Sequence, residues 1–242
     1  MQAAGTPLKT THFKRGDHGL DLVGRDDSSS ALVIREIFHD RVYAPVPGIA
    51  PPRVVLDIGA HTGFSSGFFR LMYPNAAIFC VEPDPESFAI LAGNAERIGN
   101  CRAFNLGLFE RDTVAHFNAA RISVLSSLFP MKYDGVPAQS AAVQLRHAGA
   151  FAGELAAQHD LPGFDLIKID TEGAELAILG ALGDRVAQAH VIHLEFHSHA
   201  DRRAIDDLLC RTHVLCHGRI ERPDLGTLTY VATRLIPQRH PR

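Results

Sequence analysis

Val54-Val55-Leu56-Asp57-Ile58-Gly59-Ala60-His61-Thr62-Gly63 is the stretch on which the fold turns. Val54 to Ile58 is apolar apart from Asp57, rich in β-branched residues, and closed by Gly59, the pattern of a short strand buried on both faces. Gly59 and Gly63 then let the backbone pass close to a ligand. Gly63 also stands near the start of a predicted helix, Thr62 to Met72, where free N–H groups favour anionic or polar oxygens. The spacing G-x-x-x-G departs from the G-x-G-x-x-G of nicotinamide dehydrogenases. It lacks the glycine that a pyrophosphate would need for close approach, and so favours a ligand with no pyrophosphate.

Working outward, strands and helices alternate. Ala76 to Val81 reads as a second strand, ended by Glu82-Pro83-Asp84-Pro85, and Glu86 to Ile98 as a helix stopped by Gly99. Arg102 to Leu106 and Thr113 to Asn118 follow as strands, and the Ala-rich Ser140 to His159 as a helix. Phe164 to Ile169 and His190 to Phe196 are strands, each with a helix after it, Glu172 to Leu182 and Ala200 to Thr212. Val214 to His217 and Thr227 to Leu235 close the chain as antiparallel strands. Upstream, residues 1–30 read as irregular, Ala31 to Phe38 has helical spacing, and the prolines from Pro45 to Pro52 mark a linker. This divides the chain into an N-terminal irregular and helical segment, 1–47, expected to cap the site, and a main domain, 48–242. The alternation implies a parallel sheet with helices on both faces, which binds its ligands at the carboxyl ends of the strands.

Composition narrows the classes. The 242 residues carry 24 Lys+Arg against 27 Asp+Glu, a balance that argues against a broad nucleic-acid surface. No apolar run is long enough for a membrane span, and Met1 to Gly24 lacks a signal core, so a cytoplasmic protein is expected. Cys80, Cys101, Cys210 and Cys216 form no CxxC pair and read as reduced thiols. The 14 histidines are scattered; His213 and His217, on a predicted strand, read as structural and facing one side.

The first two strand ends together resemble the S-adenosylmethionine site of class I methyltransferases. Asp165-Leu166-Ile167-Lys168-Ile169-Asp170-Thr171-Glu172-Gly173-Ala174-Glu175 resembles the K-I-D-x-E-G-x-E signature of the FkbM family. The resemblance covers roughly 31–200, with Ser30 to Tyr43 similar to the family's N-terminal helix before an aromatic step. It implies an α/β, Rossmann-like class I methyltransferase fold, a doubly wound, mostly parallel sheet of about seven strands. It implies transfer of a methyl group from S-adenosyl-L-methionine, leaving S-adenosyl-L-homocysteine, to a hydroxyl of a sugar or natural product. By the same resemblance Asp57, Gly59 and Gly63 shape the methionine side, with His61 in the loop between the two glycines. Glu82 holds the ribose, Pro83 and Asp84 flank the adenine, and Asn105 and Ser126 lie near the cofactor.

For the chemistry, Asp170 ends the fourth strand at the centre of the crevice. It could position the acceptor, act as a base or bind the methionyl ammonium. Glu172 falls at a helix start, where a carboxylate is favoured, and Lys168, inside the strand, needs an acidic partner. Period two puts His193, Glu195 and His197 on one face. Three readings of that face compete: His197 as general base, Asp170, Glu195 and His197 as ligands of a divalent metal that polarises an alkoxide, or a satisfied buried network without a chemical role. The expected partners are a small-molecule or glycan acceptor and a second copy of the chain, with no nucleic acid and no membrane. A nicotinamide-dependent oxidoreductase and a non-catalytic nucleoside-binding relative are the alternatives.

Overall fold

A computed structural model describes residues 6–118 and 140–236. The chain opens with an antiparallel hairpin, β1 (Leu8–Arg15) and β2 (His18–Arg25). This corrects the irregular reading of residues 1–30. Phe13, Leu20 and Leu22 point inward between polar neighbours, and Gly16-Asp17 forms the two-residue turn between the strands. On β2, Val23 offers its N–H and C=O to the side chain of Asn94, a fully buried residue of a later helix. The contacts are 2.9 Å to Oδ1 and 2.7 Å from Nδ2.

Helix α1 (Ser28–Ile34) starts at Asp27, whose carboxylate accepts from the Ser30 N–H, and continues into a widened π turn, Arg35–His39. The sheet begins with β3 (Val54–Ile58), followed by α2 (Phe64–Met72), β4 (Ala77–Val81), α3 (Pro85–Ile98) and β5 (Cys101–Phe104). The short strands β6 (Gly107–Phe109), β7 (Thr113–Asn118) and β8 (Ser140–His147) form a second, three-stranded sheet ordered β6-β8-β7. Then come α4 (Ala148–Gln158), β9 (Leu166–Ile169), α5 (Glu175–Leu182), β10 (Val191–Phe196), α6 (His199–Leu209), β11 (His213–Arg222) and β12 (Leu225–Ala232).

The Ala-rich stretch from Ser140 is thus not all helix. Its first eight residues are β8, with Val143 and Leu145 buried, and only Ala148 onward is helical. Pairing with β6 and β7 overrides the helix propensity of alanine. A bulge between Leu215 and His217 reverses the pleat of β11, so His213 is buried and His217 exposed instead of facing one side.

The main sheet has seven strands in the order β11-β12-β10-β9-β3-β4-β5. All neighbours pair in parallel except β12, which is antiparallel to both β10 and β11. The chain winds outward from β3 to β5 on one side and from β9 toward the far edge on the other. The carboxyl ends of β3 and β9 therefore flank the switch point where such sheets open a crevice.

Every residue of β3 is buried, and its alternation serves two cores. Val55 packs with Leu22, Phe64, Phe68 and Leu166 under α2 and the hairpin. Leu56 packs with Ile167, Ile178, Leu194 and Leu209 under α4, α5 and α6. Burial at roughly 25 cal/mol per Å² of apolar surface makes these two layers the main source of stability. Among the described residues no helix is long and apolar enough to cross a membrane.

Candidate functional site

A cleft of about 820 Å³ opens at the switch point. Its floor is the turn after β3 and the ends of β4, β9 and β10. One wall comes from α1, the π turn and Tyr43, and another from the tip of the β11–β12 hairpin.

At the β3–β4 end, Gly59 has φ 75°, and a Cβ there would collide with the main-chain carbonyl of Asp170. Both Gly59 and Ala60 donate their N–H to the Val81 carbonyl at 3.0 Å. Glu82, 6% exposed, ends β4 with Oε2 accepting from the His61 N–H and Oε1 from the Asp84 N–H, both at 2.8 Å. Burial pushes its carboxyl up, the two main-chain donors pull it back, and it settles at about 7. His61 lines the cleft as a neutral imidazole, lowered to about 4 by burial and by the Arg25 charge. Pro83 also lines it, as does Asp84, whose carboxylate caps α3 by accepting from the Ser87 N–H at 2.9 Å.

Three residues expected on the cofactor stand behind it. Asp57 is fully buried and outside the cleft lining, its Oδ2 accepting from Ser65 Oγ at 2.6 Å and Ser66 Oγ at 2.7 Å. It fixes the start of α2 and reaches the cleft only through Ser65 and Lys168, which line it. Gly63 is the N-cap of α2 and is covered by Leu91. Asn105 spends its amide on the carbonyls of Glu82 and Pro83, at 2.9 and 3.2 Å, and does not line the cleft. Ser126 lies outside the described residues.

At the β9–β10 end, the side chains form one ionic network. Lys168, 2% exposed, lies 3.4 Å from both Asp57 Oδ1 and Asp170 Oδ2. Burial disfavours its charge, but the two carboxylates outweigh this and raise its pKa above the ordinary lysine value. Asp170 also accepts from the Tyr43 hydroxyl at 3.1 Å. Burial would raise its carboxyl, yet the Lys168 charge and a hydrogen bond from Glu195 hold it down at about 2. Glu195 is pushed the other way, well above the carboxylate range, by burial and the Asp170 charge, so it carries the proton it shares with Asp170.

His197 just follows β10 and meets Glu172 Oε2 at 3.1 Å, Glu175 Oε1 at 3.3 Å and Glu195 Oε2 at 3.6 Å. Burial opposes its charge, but the interactions with Glu172 and Glu175 outweigh it and raise the imidazole to about 11. Both ring nitrogens thus face carboxyl groups of the chain, which argues against the reading of His197 as general base. His193, on the same face, is fully buried against Tyr43, Phe69 and Thr229 and plays no part in the cleft. The metal option at Asp170, Glu195 and His197 is corrected too. Asp170 is turned onto Lys168 and Tyr43, and His197 onto glutamates. No three His, Cys, Asp or Glu side chains among the described residues are arranged to hold a metal ion.

Two contributors were missed from sequence. Tyr43 entered the sequence reading only as the aromatic step after the N-terminal helix, with no role at the site. Glu175, 1% exposed, gathers the loop after β9: its Oε1 accepts from the N–H of Thr171 and Gly173 at 3.0 Å and from the Thr171 hydroxyl at 3.2 Å. That grip holds Glu172 at φ 58°, an uncommon conformation for a residue with a side chain. Glu175 stands in the quoted signature as its last acid, but nothing there marks it as the group that shapes the loop.

Residues 57–215 match the family model described as the methyltransferase FkbM domain. Among curated proteins, the chain is similar to the AMB antimetabolite synthetase AmbE of Pseudomonas aeruginosa. Identity is 26% over 236 residues, which cover 80% of this chain and 11% of that one. It is also similar to the 2-O-methyltransferase NoeI of Sinorhizobium fredii, at 25% over 163 residues, 60% of this chain and 64% of that one. The chain thus spans less than two thirds of either relative's length. Among solved structures, methyltransferase FkbM from Methylobacillus flagellatus KT aligns with a TM-score of 0.50 at 15% identity, covering 81% of this chain and 47% of that one. The fold is that of class I methyltransferases, as the strand order and the single antiparallel strand also require.

Proposed function

We propose, on the premise that this chain belongs to the FkbM methyltransferase family, that it transfers a methyl group from S-adenosylmethionine to a hydroxyl oxygen of a sugar or natural product. The observation that carries this reading is Glu82, a buried carboxyl at the rim of a cleft whose floor at Gly59 has no room for a Cβ. Those residues fit a nucleoside donor. Glu82 can accept from two ribose hydroxyls, Pro83 and Leu106 offer apolar surface to a purine, and the Gly59 turn admits the amino-acid portion. When bound, the donor supplies a methyl carbon already activated by a sulfonium. An oxygen acceptor is also supported by the likeness to NoeI, named as a 2-O-methyltransferase.

What remains for the chain is to align and to manage a proton. Asp170, ionised throughout the neutral range, accepts a hydrogen bond from an ammonium or hydroxyl in the cleft but is too weak a base to keep a proton. Glu195 keeps its own proton toward Asp170. Glu172 lines the cleft at its His197 end. Burial raises its carboxyl in spite of the His197 hydrogen bond, so it is the better group to take the hydroxyl proton.

Titration calorimetry with S-adenosylhomocysteine tests the donor, with NAD as the control. Micromolar binding of the first alone is expected, and Glu82→Ala should weaken it by about tenfold or more through lost charged hydrogen bonds. No binding below the millimolar range, or binding of NAD instead, would overturn the reading.

A further inference from the structure

Lys168 belongs to neither ligand wall as a free charge, yet it lies between them. Its Nζ donates to the Gly59 carbonyl at 2.6 Å and lies 3.4 Å from the Ile58 carbonyl, all inside the sheet. Asp57 and Asp170 complete its shell at 3.4 Å each, and the Tyr43 ring covers it at 5.7 Å. A charge-neutralising lysine would need only one buried acid. This one joins two strand ends. On the β3 side it takes the carbonyl of Gly59, whose N–H is already committed to Val81. On the β9 side it takes the carboxylate that Tyr43 and Glu195 also hold.

We propose that Lys168 is a positioning residue that locks the Gly59 turn to the Asp170 carboxylate, so that the donor end and the acceptor end of the cleft move as one unit. The Gly59 turn is then pinned by its N–H on one side and by its carbonyl on the other, and loss of the ammonium frees only the second. The proposal rests on the reading of this cleft as a site for S-adenosylmethionine.

The test uses S-adenosylhomocysteine as the probe on the full chain. Lys168→Met, checked for folding by circular dichroism, should bind it about tenfold more weakly than wild type, the loss expected for a charge-assisted hydrogen bond. In the wild type, the ammonium protons of Lys168 should be slow to exchange by 1H–15N NMR and should shift when the probe saturates the protein. A purely structural ion pair would share the slow exchange, but it predicts neither the loss of affinity nor the shift on binding. A folded Lys168→Met with full affinity overturns the proposal, as does a Lys168 signal unmoved by bound probe. The second measurement decides the matter if the variant does not fold. A wild type that does not bind the probe at all would fail the donor reading instead.

Discussion

The two ends of the cleft are each built on a carboxyl, buried at Glu82 and partly exposed at Asp170, and they hold it by different means. Glu82 is met by two main-chain N–H groups and drifts up to about 7. Asp170 is met by the Lys168 ammonium and stays at about 2. Burial raises both, so the charge of the partner decides the outcome. Neutral dipoles from the backbone moderate the cost of burying Glu82, while a full positive charge reverses it for Asp170. One end is therefore positioned by the course of the chain, and the other by side chains that must find one another, Tyr43 and Asp170 being 127 residues apart.

That contrast can be broken at several points. The largest effect is expected where the two ends touch. Gly59→Ala would drive a Cβ into the Asp170 carbonyl from a backbone at φ 75° and should destabilise the protein by about 3 kcal/mol or more. Urea denaturation measures this, and a variant within about 0.5 kcal/mol of wild type would mean that the ends are not in contact.

The next effect sharpens the side-chain end. The ion pairs of His197 raise its pKa from 6.5 to about 11, so their stabilisation is complete below pH 6.5 and is lost as the pH rises through about 11. Wild type should lose stability across that window relative to His197→Gln. Glu175→Gln should bring the His197 titration, followed by NMR, down toward the ordinary histidine range. Parallel stability curves for wild type and His197→Gln would show that the network does not hold the imidazolium. The smallest effect is at Tyr43→Phe, which removes one hydrogen bond from Asp170 and should cost about 1 kcal/mol. The Asp170 carboxyl should titrate slightly higher by 13C NMR, and no movement there would remove Tyr43 from the network.

The same contrast explains what could be read in advance. β3, the glycine turn and Glu82 were legible because a buried strand, a tight turn and an acid after the next strand are local patterns. The parallel sheet followed from the alternation of strands and helices, and the seven-stranded count from the family resemblance. The hairpin of residues 8–25 was passed over although Leu20-Asp21-Leu22 alternates and Gly16-Asp17 is a turn pair, since several glycines and charges masked a short strand. β8 was read as helix because alanine dominates it and its partners were distant. At the β9–β10 end the residues were found but not their states. His197 looked like a base because its carboxylates, Glu172 and Glu175, lie more than 20 residues away in sequence and next to it in space. Asp57 and Asn105 were assigned to the ligand because position in a motif does not reveal which way a polar group is spent.

The bond between Val23 and Asn94 has a consequence for the smallest part of this chain that folds alone. One amide stands in for a missing neighbouring strand, accepting and donating at a single residue of β2 as a sheet partner would, and its second N–H ties the Thr62 carbonyl. Gly67 of α2 lets Leu22 settle directly on the helix. A fragment that began at α1 would lose both bonds between Val23 and Asn94, at about 0.5–1.5 kcal/mol each, and would bare the aromatic flank of α2 to water. The hairpin is in this sense the far wall of the domain's interior.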